Sequence, residues 1–242
     1  MRHLIIALLI AAGATARAPE ELEGFAAAQA SQVAARFAQF ESLYISERDG
    51  EVYLTLPHAG AMRTGALAQA VDAGGNSAGV LEITAVGESY ARARYLTRAA
   101  GKQPPRVIRG AALPARILWV GAGASPAAAS LATMIEEAAR DRNSLSLAPA
   151  DIAAQLLARN PGSTPLTLPG PALASAARGV GAGYVMLVSV DDHEAPGSVS
   201  VALLTAGGDT LFTSRATLPA PLAQPEQPAQ EPLDKGADFF QR

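Results

Sequence analysis

Residues 116–142, RILWVGAGASPAAASLATMIEEAARDR, decide the fold of this chain. RILWVGAG (116–123) is a continuous apolar run, which marks a strand buried on both faces. Ser125 then offers a side-chain oxygen to free helix amides. Pro126 takes the first helical position, where its missing N–H leaves no bond unmade. The helix that follows, to Arg142, carries Leu131, Met134, Ile135 and Ala138 on one side. Glu136, Glu137, Arg140 and Asp141 lie on the other, the division expected of a helix laid on a core. A doubly buried strand feeding an amphipathic helix opens a layered α/β module.

Working downstream, SLSLA (144–148) reads as a short edge strand and PADIAAQLLAR (149–159) as a second helix, ended by Asn160-Pro161-Gly162. Residues 163–170 are loop, and ALASAARG (172–179) is a short helix. GYVMLVSV (183–190), GSVSVALLTA (197–206) and DTLFTSRATL (209–218) are three strands joined by short turns, an antiparallel meander. The pattern predicts a mixed sheet backed by helices over 115–218.

Upstream the period changes. Residues 20–41 predict a helix with Leu22, Phe25, Val33, Phe37 and Phe40 on one stripe, covering the module that comes next. From Ser42 to Arg98 the chain alternates: SLYIS (42–46), EVYLTL (51–56), ALAQAV (66–71), GVLEITAV (79–86) and ESYARARYLT (88–97). Asp49-Gly50 between the first two is a strong hairpin signal. Five short strands in so few residues predict a small barrel, because an open sheet of that size leaves exposed edges. Residues 99–114, stiffened by Pro104-Pro105, read as a linker. The expected class is therefore α+β, a small SH3-like β-barrel followed by a mixed α/β sheet module.

The ends and the composition set the setting. Arg2 followed by the apolar run Leu4–Ala12 reads as a cleavable signal peptide over residues 1–16, with small residues at Ala14 and Ala16. The run is too short to span a bilayer. The mature chain is expected to start at Arg17, in the periplasm. With no cysteine, a lipid anchor, disulfides and thiolate chemistry are not expected. The formal charge of -3 points to neither nucleic acid nor an anionic membrane surface. Residues 219–242 are a proline-rich polar tail ending in Phe239-Phe240, which read as a short docking motif on a tether.

Candidate chemistry is sparse. Gly121-Ala122-Gly123-Ala124-Ser125-Pro126 has the glycines of a phosphate loop, but it lacks the third glycine and the lysine. The same loop as a nucleophile elbow would make Ser125 the nucleophile, and Pro126 removes the amide an oxyanion hole would use. Asp191-Asp192-His193-Glu194 offers oxygen ligands and an imidazole, yet neighbours on one turn rarely converge on an ion. A hydrolase using Ser125 or a metal at Asp191–Glu194 is the enzymatic alternative, and His58 reads as a turn residue. No catalytic residue, metal or cofactor is expected. Tyr90, Arg92 and Arg94, with Arg98, alternate onto one outward strand face, where arginine geometry suits carboxylates or glycans.

The opening strand RILWVG, its helix, and GVGAGYVMLVSVDD with SVSVALLTAGGDTLFTSRATL resemble the amino-terminal domain of the Tol-Pal propeller protein, a fold shared with the curli-secretion channel and flagellar assembly protein T families. The barrel stretch GVLEITAVGESYARARYL looks like the SH3-like module of the flagellar family. The resemblance implies a non-enzymatic scaffold or assembly factor of an envelope complex, flagellar or outer-membrane-associated. Its implied partners are other envelope proteins, a homo-oligomer or ring included. A ligand- or glycan-binding periplasmic module is the alternative.

Overall fold

The computed structural model describes residues 20–57, 60–100, 104–193 and 196–219. Residues 20–34 form helix α1. The barrel strands are β1 (Glu41–Arg48), β2 (Glu51–Thr55), β3 (Leu67–Val71), β4 (Ser77–Val86), β5 (Tyr90–Arg98) and β6 (Val107–Gly110). They close in the order β1-β2-β5-β4-β3-β6. Asp49 and Gly50 at the β1–β2 turn take φ of 52° and 78°, the left-handed pair a tight hairpin demands.

The five strands expected from alternation are present, and a sixth closes the barrel. Val107–Gly110, which the sequence reading places in the linker, pairs with both β1 and β3. Its four residues are too few to show a period, and only the pairing makes them a strand. Inward-facing Val52, Leu54, Leu81, Ile83, Ala91, Ala93 and Ile108 fill the interior and are fully buried. Alanine at positions 91 and 93 suits the crowded centre of so small a barrel.

The second unit runs β7 (Ala115–Gly123), α2 (Pro126–Arg140), β8 (Leu145–Leu147), α3 (Ala150–Ala158), a 3₁₀ turn (Pro165–Thr167), α4 (Gly170–Gly179), β9 (Tyr184–Asp191), β10 (Ser198–Thr205) and β11 (Thr210–Thr217). The sheet order is β11-β10-β9-β7-β8. β7 runs parallel to β8 and β9, and the other neighbours are antiparallel. The fold is α+β, as the patterns predict. Ile117 and Trp119 of β7 face one layer, with Met186, Val188, Val201 and Leu203. Leu118 and Val120 face the opposite layer, with Val185, Leu187, Leu156 and Leu173. That division explains the unbroken apolar run of β7.

Helix α1 is shorter than the pattern predicts, and it covers more than the barrel. Its buried face, Ala26, Ala30, Val33 and Ala34, joins the core of α2 and the mixed sheet, a cluster that also takes in Leu67 of β3. Small side chains allow close approach, and Arg142 Nη2 donates to the Ala27 carbonyl at 3.2 Å. Where the helix ends, Arg63 of the β2–β3 connection holds the chain: Nε donates to the Ala35 carbonyl at 3.0 Å, and Nη2 to those of Ala34 and Phe37 at 3.3 and 3.0 Å. Phe37 and Phe40 therefore lie outside the helix, bridged to Leu67 and Gly60.

Phe37, 1% exposed, joins the two units. Its backbone bridges Leu67 of β3, and its ring meets Tyr184 of β9 edge-on at 5.0 Å. Arg36 beside it donates to the Gly65 carbonyl at 3.1 Å, pairs with Glu82 at 2.6 Å, and stacks over the Phe212 ring of β11 at 4.0 Å. Phe37→Ala should cost about 3–5 kcal/mol, read as a lower urea midpoint of Trp119 fluorescence. A loss below about 1 kcal/mol would show that the junction does not depend on this ring.

Candidate binding face of the barrel

Strand β1 carries apolar residues on both faces, so its sequence alone leaves the register open. In SLYIS Leu43 and Ile45 share one face and Ser42, Tyr44 and Ser46 the other, and burial of the aliphatic pair would turn Leu43 and Ile45 inward. Instead Ser42 is buried and Leu43 and Ile45 face out, 48% and 53% exposed. Ser42 Oγ donates to the Thr55 carbonyl, which satisfies the hydroxyl inside. A bulge between Tyr44 and Ser46 follows. Because the period is two, this register places every apolar side chain of the segment except Tyr44 on the outer wall.

That wall continues on both sides. Leu43 stands opposite Val107 of β6, and Thr55 of β2 stands opposite Tyr90 of β5. Tyr90 is 46% exposed, and its ring lies 5.7 Å from that of Tyr53. Leu43, Ile45, Val107, Tyr53 and Tyr90 thus form an apolar and aromatic strip across β6, β1, β2 and β5. Monomeric surfaces seldom leave such strips unused.

The arginines singled out by sequence lie on β5 but do not form an open cationic face. Arg92 Nη1 meets Glu51 at 3.1 Å, and Arg94 holds Glu82 through Nε at 3.1 Å and Nη2 at 2.8 Å. Arg98 grips Glu47 at 2.8 and 3.1 Å, and Arg109 pairs with Glu41 at 3.0 Å. Pairs this exposed contribute little stability. Their consequence is a charge-balanced rim around the strip. Strand β5 is also interior to a closed barrel, so its arginines do not guard a free edge. Phe239 and Phe240 lie outside the described residues, as do His58 and Glu194.

The Gly121–Pro126 loop ties helix α2 to the end of β9. Ser125 Oγ accepts the Ala128 N–H at 3.1 Å, capping α2, and donates to Asp192 Oδ2 at 2.5 Å. Among the described residues no hydrogen bond links the His193 imidazole to Ser125; His193 bonds Asp191 Oδ1 through its backbone N–H at 3.0 Å. Gly123 serves packing, since a Cβ there would sit 2.1 Å from the Ala128 carbonyl carbon. Beside the tie lies a cavity of about 360 Å³ touching Gly123, Thr164, Asp191 and His193. Asp192 already places a carboxylate at the helix start, which disfavours a bound phosphate there. No group of three or more metal-ligating side chains is assembled among the described residues.

Sequence reasoning named Tyr90 but missed Leu43 and Ile45. The available signal was that both parities of SLYIS carry apolar residues, which leaves the inward set ambiguous.

No family model matches the chain. No curated protein matches it either. Among solved structures it is similar to the LpoB C-terminal domain from Salmonella enterica, at 16% identity over 45% of this chain and 85% of that one, with a TM-score of 0.35. The LpoB C-terminal domain from Escherichia coli gives 16%, 46%, 86% and 0.36. Lipoprotein GNA1162 from Neisseria meningitidis gives 20%, 43%, 80% and 0.33. Scores this low carry no inference about what this chain does.

Ser125→Ala removes both the helix cap and the partner of Asp192. It should destabilise the protein by about 1–2 kcal/mol in urea unfolding. Unchanged stability would show that the tie is not structural.

Proposed function

We propose that this protein is an exported, non-enzymatic assembly component of the cell envelope that works by binding other proteins. The observation that carries the reading is the outward register of β1, which exposes Leu43 and Ile45 although inward positions were one residue away. Burying such side chains against a partner contributes roughly 25 cal/mol per Å² of apolar area. The ion pairs Arg92–Glu51 and Arg109–Glu41 flank the strip, so the partner is expected to present an apolar patch with balanced charge.

Phe239-Phe240 are proposed as a second, tethered contact, and Tyr90, Arg92 and Arg94 as the border of the first. The flagellar or outer-membrane setting and the periplasmic location come from the sequence resemblance and the leader-like N-terminus, and belong to this same proposal.

The test is capture of partners from envelope extract with the full chain, with Leu43→Asp/Ile45→Asp, and with a chain ending at Leu218. Both altered side chains are exposed, so folding stability should shift by little. The double substitution should reduce recovery of the specific partners at least tenfold, a loss of about 1.4 kcal/mol. Equal recovery with and without the substitutions would remove the barrel face from the proposal, and equal recovery by the shortened chain would remove the tail.

A further inference from the structure

The barrel and the mixed sheet enclose a cleft of about 600 Å³ where they meet. One wall comes from β3, β4 and β5, with Gln69, Ser77, Thr97 and Arg98. The other comes from the start of β9 and the β10–β11 turn, with Tyr184 and Asp209. The volume is that of an ordinary small-ligand site. It shares no residue with the strip of Leu43, Ile45, Val107, Tyr53 and Tyr90.

Its polar groups keep bonding capacity to spare. Tyr184 is partly buried and fixed edge-on to Phe37, yet its hydroxyl has no hydrogen-bond partner among the described residues. Burial pushes its ionisation above the usual phenol range, so the hydroxyl stays protonated and able to donate. The Gln69 amide and the Ser77 hydroxyl, both on exposed residues at the cleft's rim, have no hydrogen-bond partner among the described residues. Thr97 Oγ1 accepts the Val80 N–H at 3.2 Å and keeps its own proton free. Arg98 is clamped by Glu47 and stacked over Tyr95 at 4.8 Å, using two of its five N–H donors. Across the cleft Asp209 Oδ2 accepts from Thr205 at 3.3 Å, which leaves its other oxygen available.

These groups point to one ligand class. Hydroxyls, a carboxamide, one guanidinium and one carboxylate line the cleft, and neither sign of charge dominates. That set suits a neutral ligand rich in hydroxyls, in which each group both donates and accepts. A side-chain amide such as Gln69 pairs reciprocally with another amide, one donor and one acceptor on each. We infer that the cleft between the two units binds an oligosaccharide carrying acetamido groups. This goes beyond the protein-docking reading and does not depend on it.

The probe is chitotetraose, titrated into the full chain and followed by amide chemical shifts, with maltotetraose, which lacks the acetamido groups, as comparison. Saturable shifts are expected at residues 77–80, 97–99, 183–184 and 205–209. Maltotetraose should bind about fivefold more weakly or less, the size of one lost hydrogen bond. Tyr184→Phe removes a hydroxyl that no protein group uses, so the thermal midpoint should hold while affinity falls about fivefold or more. Gln69→Ala should act likewise and narrow the difference between the two sugars. The inference is overturned if chitotetraose causes no shift up to about 10 mM, where a millimolar site is nearly full. It is equally overturned if the shifts fall elsewhere, if both sugars bind alike, or if Tyr184→Phe binds unchanged. Partner capture by the barrel strip is measured separately, so either proposal can fail alone.

Discussion

The burial of Phe37 between Leu67 and Tyr184 is the contact on which the arrangement of the two units depends. Its ring sits among the buried side chains of the mixed sheet while its backbone bridges the first residue of β3. The neighbouring Arg36 donates its backbone N–H to Val33 of α1, and its side chain touches the barrel and β11. Arg63 holds the carbonyls of Ala35 and Phe37, just past α1, from the barrel side. The short segment just after α1 therefore carries contacts from three parts of the fold. An N-terminal helix that belongs to the distant sheet has to be led back past the barrel, and Phe37 marks the place where it crosses.

Two surfaces follow from that geometry. Docking the barrel through β3 places β4 and β5 against the start of β9, and the space left over is the cleft containing Tyr184 and Gln69. The opposite wall, built from β6, β1, β2 and β5, remains open. There the buried Ser42 and the bulge after Tyr44 keep Leu43 and Ile45 in water. Both features cost stability that a purely structural design would recover, by filling the cleft or by turning β1 inward. Departures from local consistency are where function is to be sought.

Much of the fold was legible because strong periods leave little choice. The apolar run 116–123, the Ser125-Pro126 start and the Asp49-Gly50 turn each read directly into β7, α2 and the first hairpin. The elements that escaped were governed by distant partners. Val107–Gly110 is a strand only because β1 and β3 flank it, and the chain after α1 is held by Arg63, which lies almost thirty residues away in sequence. The side of β1 that faces out was hidden because Leu43 and Ile45 compete with Tyr44 for the interior, and the choice fell to the Ser42 bond to Thr55. The arginines of β5 looked available because their partners, Glu51, Glu82 and Glu47, lie on other strands or at another strand's end. The polar groups of the cleft, Gln69, Ser77, Tyr184 and Asp209, are scattered along the chain and carry no local motif.

If Phe37 and Arg36 weld the barrel to the sheet, the two must unfold as one. Trp119, the protein's one tryptophan, lies buried in the sheet core and reports on that unit. Native-state amide exchange at Val52, Leu81, Ile83 and Ala93 reports on the barrel. Measured across a urea series, the opening free energy of those barrel amides should equal the unfolding free energy read from Trp119 fluorescence. Barrel amides that open at a distinctly lower free energy, with Trp119 still native, would contradict the account.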